Sequence, residues 1–274
     1  MPRVLVVANR TVAGRGVLDA VRERHEQGDH QFHLVVPIAR PHHGNVIYDD
    51  AARDAARVRI ELVTAYLSKQ GIEVTAEIGD EDPYTAATDA LAGWPADELI
   101  VSTLPQTRSG WLRRDLVDRI RDAVDRPVQH VVTDPAEEGL AVGVTLVVAN
   151  RTAGGEELMQ LLRKDAEQED RIFIVVVPLE GKDGESTQVA RDRLGKFVSR
   201  LRENGIVASG MIGDPDPYDA TMNALDQFTI DHVVISTLPG AKSGWLRADL
   251  VDRVRNATQA RVDHVEVALE GAPA

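Results

Sequence analysis

The stretch STLPQTRSGWLRRDLVDRIR, residues Ser102–Arg121, returns 134 positions later as STLPGAKSGWLRADLVDRVR, residues Ser236–Arg255. The first part of the chain is repeated too, since VLVVANRTVAG (Val4–Gly14) matches TLVVANRTAGG (Thr145–Gly155) at a distance of 141 positions. Repetition on this scale fixes the architecture before any local prediction is made. Each copy spans about 130 residues, the usual size of a domain, so the sequence predicts two domains of one fold.

A third repeated segment shows where the two copies differ. IGDEDPYTAATDAL (Ile78–Leu91) matches IGDPDPYDATMNAL (Ile212–Leu225) at a distance of 134 positions, so the second copy has lost seven residues before this point. Loss of chain is tolerated best in surface loops. The chain between the two copies is a separate point: we predict that the domains cover residues 1–133 and 144–274, and that residues 134–143 form the linker between them.

Each copy alternates short β-branched runs with segments of helical spacing. In the first copy the runs are RVLVVA, QFHLVVP, IEVTAEI, DELIVST and PVQHVVT, and AARDAARVRIELVTAYLSKQG is a helical segment that closes at Gly71. Near-continuous apolar strands are typical of parallel sheets covered on both faces, and their crossovers are right-handed. The predicted fold class is α/β, with two tandem doubly wound five-stranded parallel sheets that are Rossmann-like.

The composition excludes several classes of function. Acidic residues outnumber basic ones by 44 to 31, and the net charge of −13 disfavours nucleic acid as a partner. The chain has no cysteine, which excludes disulfides and thiolate chemistry. The first apolar run, in MPRVLVVANR, is shorter than the core of a signal peptide or a membrane span, so we expect a cytoplasmic protein without a membrane partner.

Polar residues of the repeated segments follow the first and fourth strands of each copy. In a doubly wound sheet, ligands bind beyond the carboxyl ends of the strands, near the point where the strand order reverses. The start of the last helix adds unpaired N–H groups that favour an anion. We therefore predict a polar pocket for a small anion or nucleotide in each copy. Its residues are Asn9, Thr11, Ser102, Thr103, Arg108, Ser109 and Arg113 in the first copy, and Asn150, Thr152, Ser236, Thr237, Lys242, Ser243 and Arg247 in the second.

A simpler interpretation of the same loop stays open. Ser109 and Ser243 each precede GWLR and a helical run, which is typical of residues that cap a helix. Asp80 and Asp82 of GDEDPY are predicted to be turn and cap residues, because Gly-Asp-x-Asp-Pro opens a helix with proline in its first turn. We predict no metal site and no catalytic residue, since no nucleophile, base and orienting group stand at a recognisable spacing.

Three short segments follow the strands in order: VVANRT, GDxDPY, and VST followed by a glycine-containing loop. Together with the element order, they resemble the universal stress protein (UspA-like) family in its tandem-domain form, over essentially the whole chain. The resemblance implies an adenine nucleotide alpha hydrolase-like fold and a pseudo-twofold relation between the two domains. In members that bind ATP, the loop after the fourth strand reads glycine, two residues, glycine, nine residues, then Gly-Ser or Gly-Thr. These positions fall on Ser102, Pro105 and Asp115-Leu116 in the first copy, and on Ser236, Pro239 and Asp249-Leu250 in the second.

Both copies depart from that pattern in the same way. Proline has no N–H to donate to a phosphate, and a carboxylate at Asp115 would repel one. Asn9 and Asn150 replace the aspartate that ATP-binding members often place after the first strand. We therefore interpret the loop as degenerate and predict no bound cofactor, with ATP as the alternative.

From the resemblance we predict a non-enzymatic stress-response protein with a binding or regulatory role. The alternative is a sensor that binds ATP or another nucleotide or anion through a rearranged loop and hydrolyses ATP weakly, so enzymatic activity stays an open question. The resemblance also implies that the two domains pair through their fifth strands, near His130 and His264, because pairing covers an open sheet edge. A protein partner is expected but not named by the sequence, and association of two chains into a homodimer stays open.

Overall fold

The computed structural model describes residues 1–39, 49–105, 115–134, 141–181, 183–239, 245 and 249–268. The chain divides into two compact units, Met1–Ala141 and Val142–Ala274. In the described part of the chain, no helix has the length and apolar character needed to cross a membrane.

Unit 1 contains one five-stranded sheet with helices between its strands. The elements are β1 (Arg3–Val7), α1 (Arg15–Gln27), β2 (Gln31–Pro37), α2 (Asp49–Ser68), β3 (Val74–Gly79), α3 (Pro83–Gly93), β4 (Glu98–Thr103), α4 (Leu116–Ala123) and β5 (Val128–Val132). All neighbouring strands are parallel, in the order β3-β2-β1-β4-β5. The strand order therefore reverses between β1 and β4.

Unit 2 repeats this topology. Its elements are β6 (Gly143–Val148), α5 (Glu156–Gln168), β7 (Arg171–Pro178), α6 (Gly184–Glu203), β8 (Val207–Gly213), α7 (Pro217–Gln227), β9 (His232–Thr237), α8 (Leu250–Ala257) and β10 (Arg261–Glu266). The order β10-β9-β6-β7-β8 is that of unit 1, and every pairing is parallel. The prediction of two doubly wound five-stranded parallel sheets is confirmed.

Aliphatic side chains dominate both cores, and Phe173 and Phe197 join them in unit 2. In unit 1, Leu5, Leu99 and Val101 of the central strands pack with Leu116 and Ile120 of α4. These residues are almost completely buried. Since α4 carries its apolar residues on one side only, this packing orients the helix on the sheet.

The GDxDPY segments turn the chain from the third strand into the next helix. The Asp82 side chain accepts a hydrogen bond from the Thr85 N–H at 3.2 Å, and Asp80 accepts one from the Asp82 N–H at 2.8 Å. Pro83 opens α3. The same arrangement recurs in unit 2, so the prediction that these aspartates are turn and cap residues is confirmed. Gly79 ends β3, where an added Cβ would lie 2.6 Å from the Ala86 Cβ.

The last helix of each unit begins after an aspartate with unusual backbone geometry. Asp115 has φ 49° and Asp249 has φ 51°, which is the left-handed region that glycine favours. Neither side chain caps the helix that follows. Both carboxylates belong to exposed residues. Hence these two positions adopt a backbone conformation that glycine favours while carrying a charged side chain.

Candidate functional site at the carboxyl edge of each sheet

The predicted polar residues of the first and fourth strands meet where the strand order reverses. Val7 of β1 pairs with Val101 of β4, so Asn9 and Thr103 each lie two residues further along, at the carboxyl edge. In unit 2 the pairing of Val148 with Ile235 puts Asn150 and Thr237 at the same edge. In such sheets the crevice at this edge is the usual ligand position.

Two of the predicted residues make contacts on the other side of the fourth strand. The Thr103 hydroxyl lies 2.9 Å from Nε2 of His130 on β5, and the Thr237 hydroxyl lies 2.8 Å from Nε2 of His264 on β10. Burial lowers the pKa of both histidines. Thr103 and Thr237 therefore tie the fifth strand to the fourth and are already hydrogen-bonded within the fold.

In unit 1, three buried oxygen atoms at this edge have no hydrogen-bond partner among the residues that the structure describes. They are Asn9 Oδ1, Thr11 Oγ1 and Ser102 Oγ. The residues are at most 5% exposed. The Asn9 side chain is held in place because its Nδ2 donates to the Pro37 carbonyl at 2.7 Å. A buried polar group without a partner costs about 1–3 kcal/mol, so three of them in one place need an explanation.

Unit 2 satisfies two of the three equivalent atoms internally. Asn150 Nδ2 donates to the Pro178 carbonyl at 2.9 Å, as its counterpart does, but Asn150 Oδ1 accepts a hydrogen bond from Arg193 Nη1. The Thr152 hydroxyl donates to the Ser236 carbonyl at 3.1 Å. Of these three atoms, Ser236 Oγ is the one without a partner in the described part of unit 2. The two edges thus have nearly the same residues but different hydrogen bonding.

Two arginines in each unit belong to this edge, and they are not among the site residues predicted from the sequence. Arg59 on α2 is 3% exposed, and burial together with the nearby charge of Arg10 lowers its pKa to about 9. The repeat distances of 141 and 134 make Arg151 the counterpart of Arg10, and Arg193 the counterpart of Arg59. The sequence does contain one indication of their importance: arginine recurs at positions 59 and 193, within helices whose sequences otherwise diverge.

The two arginines of unit 2 hold a carboxylate of the same unit. Arg151 Nε lies 2.8 Å from Glu180 Oε1, and Arg151 Nη2 lies 3.2 Å from Glu180 Oε2. Arg193 Nη1 approaches Glu180 Oε1 at 3.5 Å. The hydrogen bond from Arg151 is the main cause of a lowered pKa at Glu180, and the same bond raises the pKa of Arg151. The pair is a charge-assisted, two-point contact.

Six of the predicted site residues lie outside the described residues: Arg108, Ser109, Arg113, Lys242, Ser243 and Arg247. The helix-cap interpretation of the two serines lies there as well. Within the described ranges, no group of three or more histidine, aspartate and glutamate side chains could hold a metal ion.

The sheets and their polar edges define the chain as a tandem doubly wound α/β protein. No protein-family model matches the sequence, and no curated protein matches it. The chain is structurally similar to a universal stress protein from Archaeoglobus fulgidus DSM 4304, with 10% identity, 96% of each chain covered and a TM-score of 0.38. It is also similar to histidinol dehydrogenase from Elizabethkingia anophelis, with 14% identity, 99% of this chain and 55% of that chain covered, and a TM-score of 0.28.

Proposed function

We propose that the protein is a non-catalytic binding or regulatory protein, and that unit 1 binds a small organic anion at the carboxyl edge of its sheet. The observation that carries this proposal is the group of buried, unpartnered oxygens of Asn9, Thr11 and Ser102. A ligand that hydrogen-bonds to these atoms offsets the free-energy cost of burying them. The stress-linked role implied by the family resemblance, and the cytoplasmic location expected from the sequence, are part of the same proposal.

The side chains limit the chemistry of the ligand. The hydroxyls of Thr11 and Ser102 can donate or accept a hydrogen bond, whereas Asn9 Oδ1 can only accept one. The positive charge of Arg59, in a buried position beside Arg10, favours an anionic group. A suitable ligand therefore carries a carboxylate or phosphate together with a hydroxyl or amino group. Hydroxy acids and nucleoside phosphates both meet this description.

Two features favour binding over catalysis. Ser102 Oγ has no hydrogen-bond partner in the described chain, so no base is in contact with it to activate a nucleophile. The histidine closest in sequence, His130, contacts the Thr103 hydroxyl instead.

A nucleotide bound differently from the usual family mode is the second candidate. Pro105, beyond the end of β4, has no N–H for a phosphate, and Asp115 places an exposed carboxylate at the start of α4. Arg10 and Arg59 provide positive charge on the β2 side of the edge. A nucleotide would then direct its phosphates toward these arginines and away from the loop after β4.

The test combines identification of a ligand with matched variants. Native mass spectrometry of the purified chain would report a co-purified molecule, and calorimetric titration with inorganic phosphate, lactate, AMP and ATP would report binding of the candidate classes. The double variant Thr11→Val with Ser102→Ala should weaken binding at least tenfold. The matched variant of unit 2, Thr152→Val with Ser236→Ala, should leave it within twofold. Equal weakening by both variants, or no binding of any probe together with no co-purified ligand, would overturn the proposal.

A further inference from the structure

A buried hydroxyl at the end of β5 faces the first turn of α1. Thr133, the residue after β5, is fully buried, and its Oγ1 has no hydrogen-bond partner in the described part of the chain. A Cβ added to Gly16, the second residue of α1, would lie 3.1 Å from that oxygen. The Thr133 hydroxyl is therefore directed at the start of the helix.

The first turn itself presents donors that the fold does not use. The hydrogen bonds of α1 begin with the bond from the Leu18 N–H to the Gly14 carbonyl at 3.2 Å. No side chain caps the helix, and the N–H groups of Arg15, Gly16 and Val17 have no acceptor among the described residues. Arg15 is exposed and Gly16 is partly exposed, so a small solute can reach the turn.

The charges of this turn are the opposite of those that the start of a helix favours. The helix dipole stabilises carboxylates in the first turn and disfavours cations there. α1 has no acidic residue in its first turn and begins with Arg15. An anion from outside the chain would complement both the dipole and the arginine.

The equivalent helix of unit 2 supplies its own negative charge. By the repeat distances, Glu156 stands in the place of Arg15, and Val267 in the place of Thr133. The Glu156 carboxylate lies in the first turn of α5, where Arg200 contacts it at 2.8 Å. The start of α5 therefore carries a carboxylate of the chain and has no hydroxyl facing it from the fifth strand, whereas α1 has the reverse.

We propose that the first turn of α1 and the Thr133 hydroxyl hold the charged group of the small organic anion that unit 1 binds. The group is a carboxylate or a phosphate, because its oxygens accept hydrogen bonds from the N–H groups of the turn and from the Thr133 hydroxyl. This inference rests on the binding function proposed for unit 1, and it adds the place of the ligand's negative charge. Asn9, Thr11 and Ser102 are then left for the uncharged polar part of the ligand.

Amide chemical shifts test the place of the anion directly. Inorganic phosphate and acetate are titrated separately into the full chain. Each probe that binds should shift the amide signals of Arg15, Gly16 and Val17 saturably, because a hydrogen bond to an oxyanion changes the environment of the N–H proton. The three amides at the start of α5 should not move. The probe with the higher affinity identifies the charged group as phosphate or carboxylate.

Two substitutions give the turn the residues of unit 2. Thr133→Val keeps the shape of the side chain and should weaken probe binding roughly fivefold, the worth of about one hydrogen bond. Arg15→Glu places a carboxylate in the turn and should weaken it roughly tenfold or more. A purely structural role of Thr133 would leave the affinity unchanged, since its hydroxyl has no partner in the described chain to lose.

The controls make the same chemical changes in unit 2. Thr221→Val removes a buried hydroxyl that already donates to the Pro217 carbonyl at 2.6 Å, and Lys164→Glu reverses an exposed charge on α5. Both should leave the affinity within about twofold, because they lie in the other unit. Chemical denaturation of every variant verifies that it is folded.

Each result separates the inference from the function on which it rests. If a probe binds unit 1 without moving the three amides of α1, and Thr133→Val binds it as well as the unaltered chain does, the inference is overturned and the proposed function stands. If the amides move but Thr11→Val with Ser102→Ala leaves the affinity unchanged, the anion position stands and the function proposed for the buried oxygens fails. Absence of saturable shifts in unit 1 with both probes overturns both.

Discussion

The guanidinium carbon of Arg119 lies 4.2 Å from the ring centre of Tyr84, and in unit 2 Arg253 stands over Tyr218 at 4.0 Å. Each tyrosine belongs to a GDxDPY segment and each arginine to a DLVDR segment. Two repeated motifs that are far apart in the sequence therefore meet in the fold, and the contact joins the last helix of a unit to the helix before it. This is one physical reason for both segments to recur together.

Disruption of this contact should cost stability. Arg119→Met keeps most of the aliphatic stem, so its main effect is loss of the charge over the ring. A double-mutant cycle of Arg119→Met with Tyr84→Leu, followed by chemical denaturation, should give a coupling free energy of about 0.5–1 kcal/mol. Arg121→Met is the control, because Arg121 makes an exposed ion pair with Asp118 and contacts no aromatic ring in the described chain. A coupling near zero would show that the stacking contributes nothing measurable.

A matched pair of threonines tests the difference between the two edges. Thr11→Val removes a buried hydroxyl that has no partner among the described residues, so the free energy of unfolding should stay the same or rise by up to about 1 kcal/mol. Thr152→Val removes the donor to the Ser236 carbonyl and should lower the free energy of unfolding by about 1 kcal/mol. Both substitutions preserve shape, so chemical denaturation of the ligand-free protein reports the hydrogen bond. Equal losses in the two variants would contradict the assignment of Thr11 to a ligand site.

Replacing an aspartate in the left-handed backbone region by glycine should increase the stability of the protein. Asp115 adopts this backbone at the position where the resemblance aligns a glycine of the phosphate loop. A non-glycine residue pays roughly 1–2 kcal/mol for the conformation, and the greater freedom of glycine in the unfolded chain offsets part of the gain. Asp115→Gly should therefore raise the free energy of unfolding by up to about 1 kcal/mol. Asp115→Ala, which lacks both the charge and the conformational freedom, should fail to stabilise and thereby separate backbone strain from charge.

Unit 2 contains a buried histidine that makes its stability depend on pH. His232 Nδ1 lies 3.4 Å from Asp165 and its Nε2 lies 3.2 Å from Asp263. Burial lowers the pKa of His232 below its usual 6.5, although Asp165 and Asp263 oppose the shift. Unit 1 has the Arg24–Glu98 ion pair at the equivalent place and no histidine there.

The sign of this dependence follows from linkage. With the pKa lowered in the folded state, the unfolded chain binds more protons below pH 6.5, so the stabilising contribution is complete above that pH and declines as the pH falls through the folded pKa. The substitution His232→Gln should reduce the decrease in the free energy of unfolding between pH 7 and pH 5. Burial also lowers the pKa of His130 and His264, so some slope of the same sign should remain. A variant curve parallel to that of the unaltered chain would contradict the assignment.

The sequence correctly predicted those features that depend on residues close together in the chain. The β-branched runs became the expected strands, and Asp80 and Asp82 became turn and cap residues, because backbone preference and nearest-neighbour hydrogen bonds decide both. The pairing of the two units through their fifth strands stays a prediction. So do the predictions for residues 106–114, 240–244 and 246–248 of the loops after the fourth strands, which lie outside the described residues.

The sequence by itself determined the duplication, the α/β alternation and the presence of polar residues after the first and fourth strands, because the period and the burial pattern follow from short-range rules. Only the tertiary structure decided that Arg59 and Arg193 belong to that edge, since they come from the second helix of each unit. It also decided that Thr103 faces His130, and that Glu180 lies between two arginines. Such contacts join segments far apart in the chain, and packing and electrostatics, not the local pattern, select them.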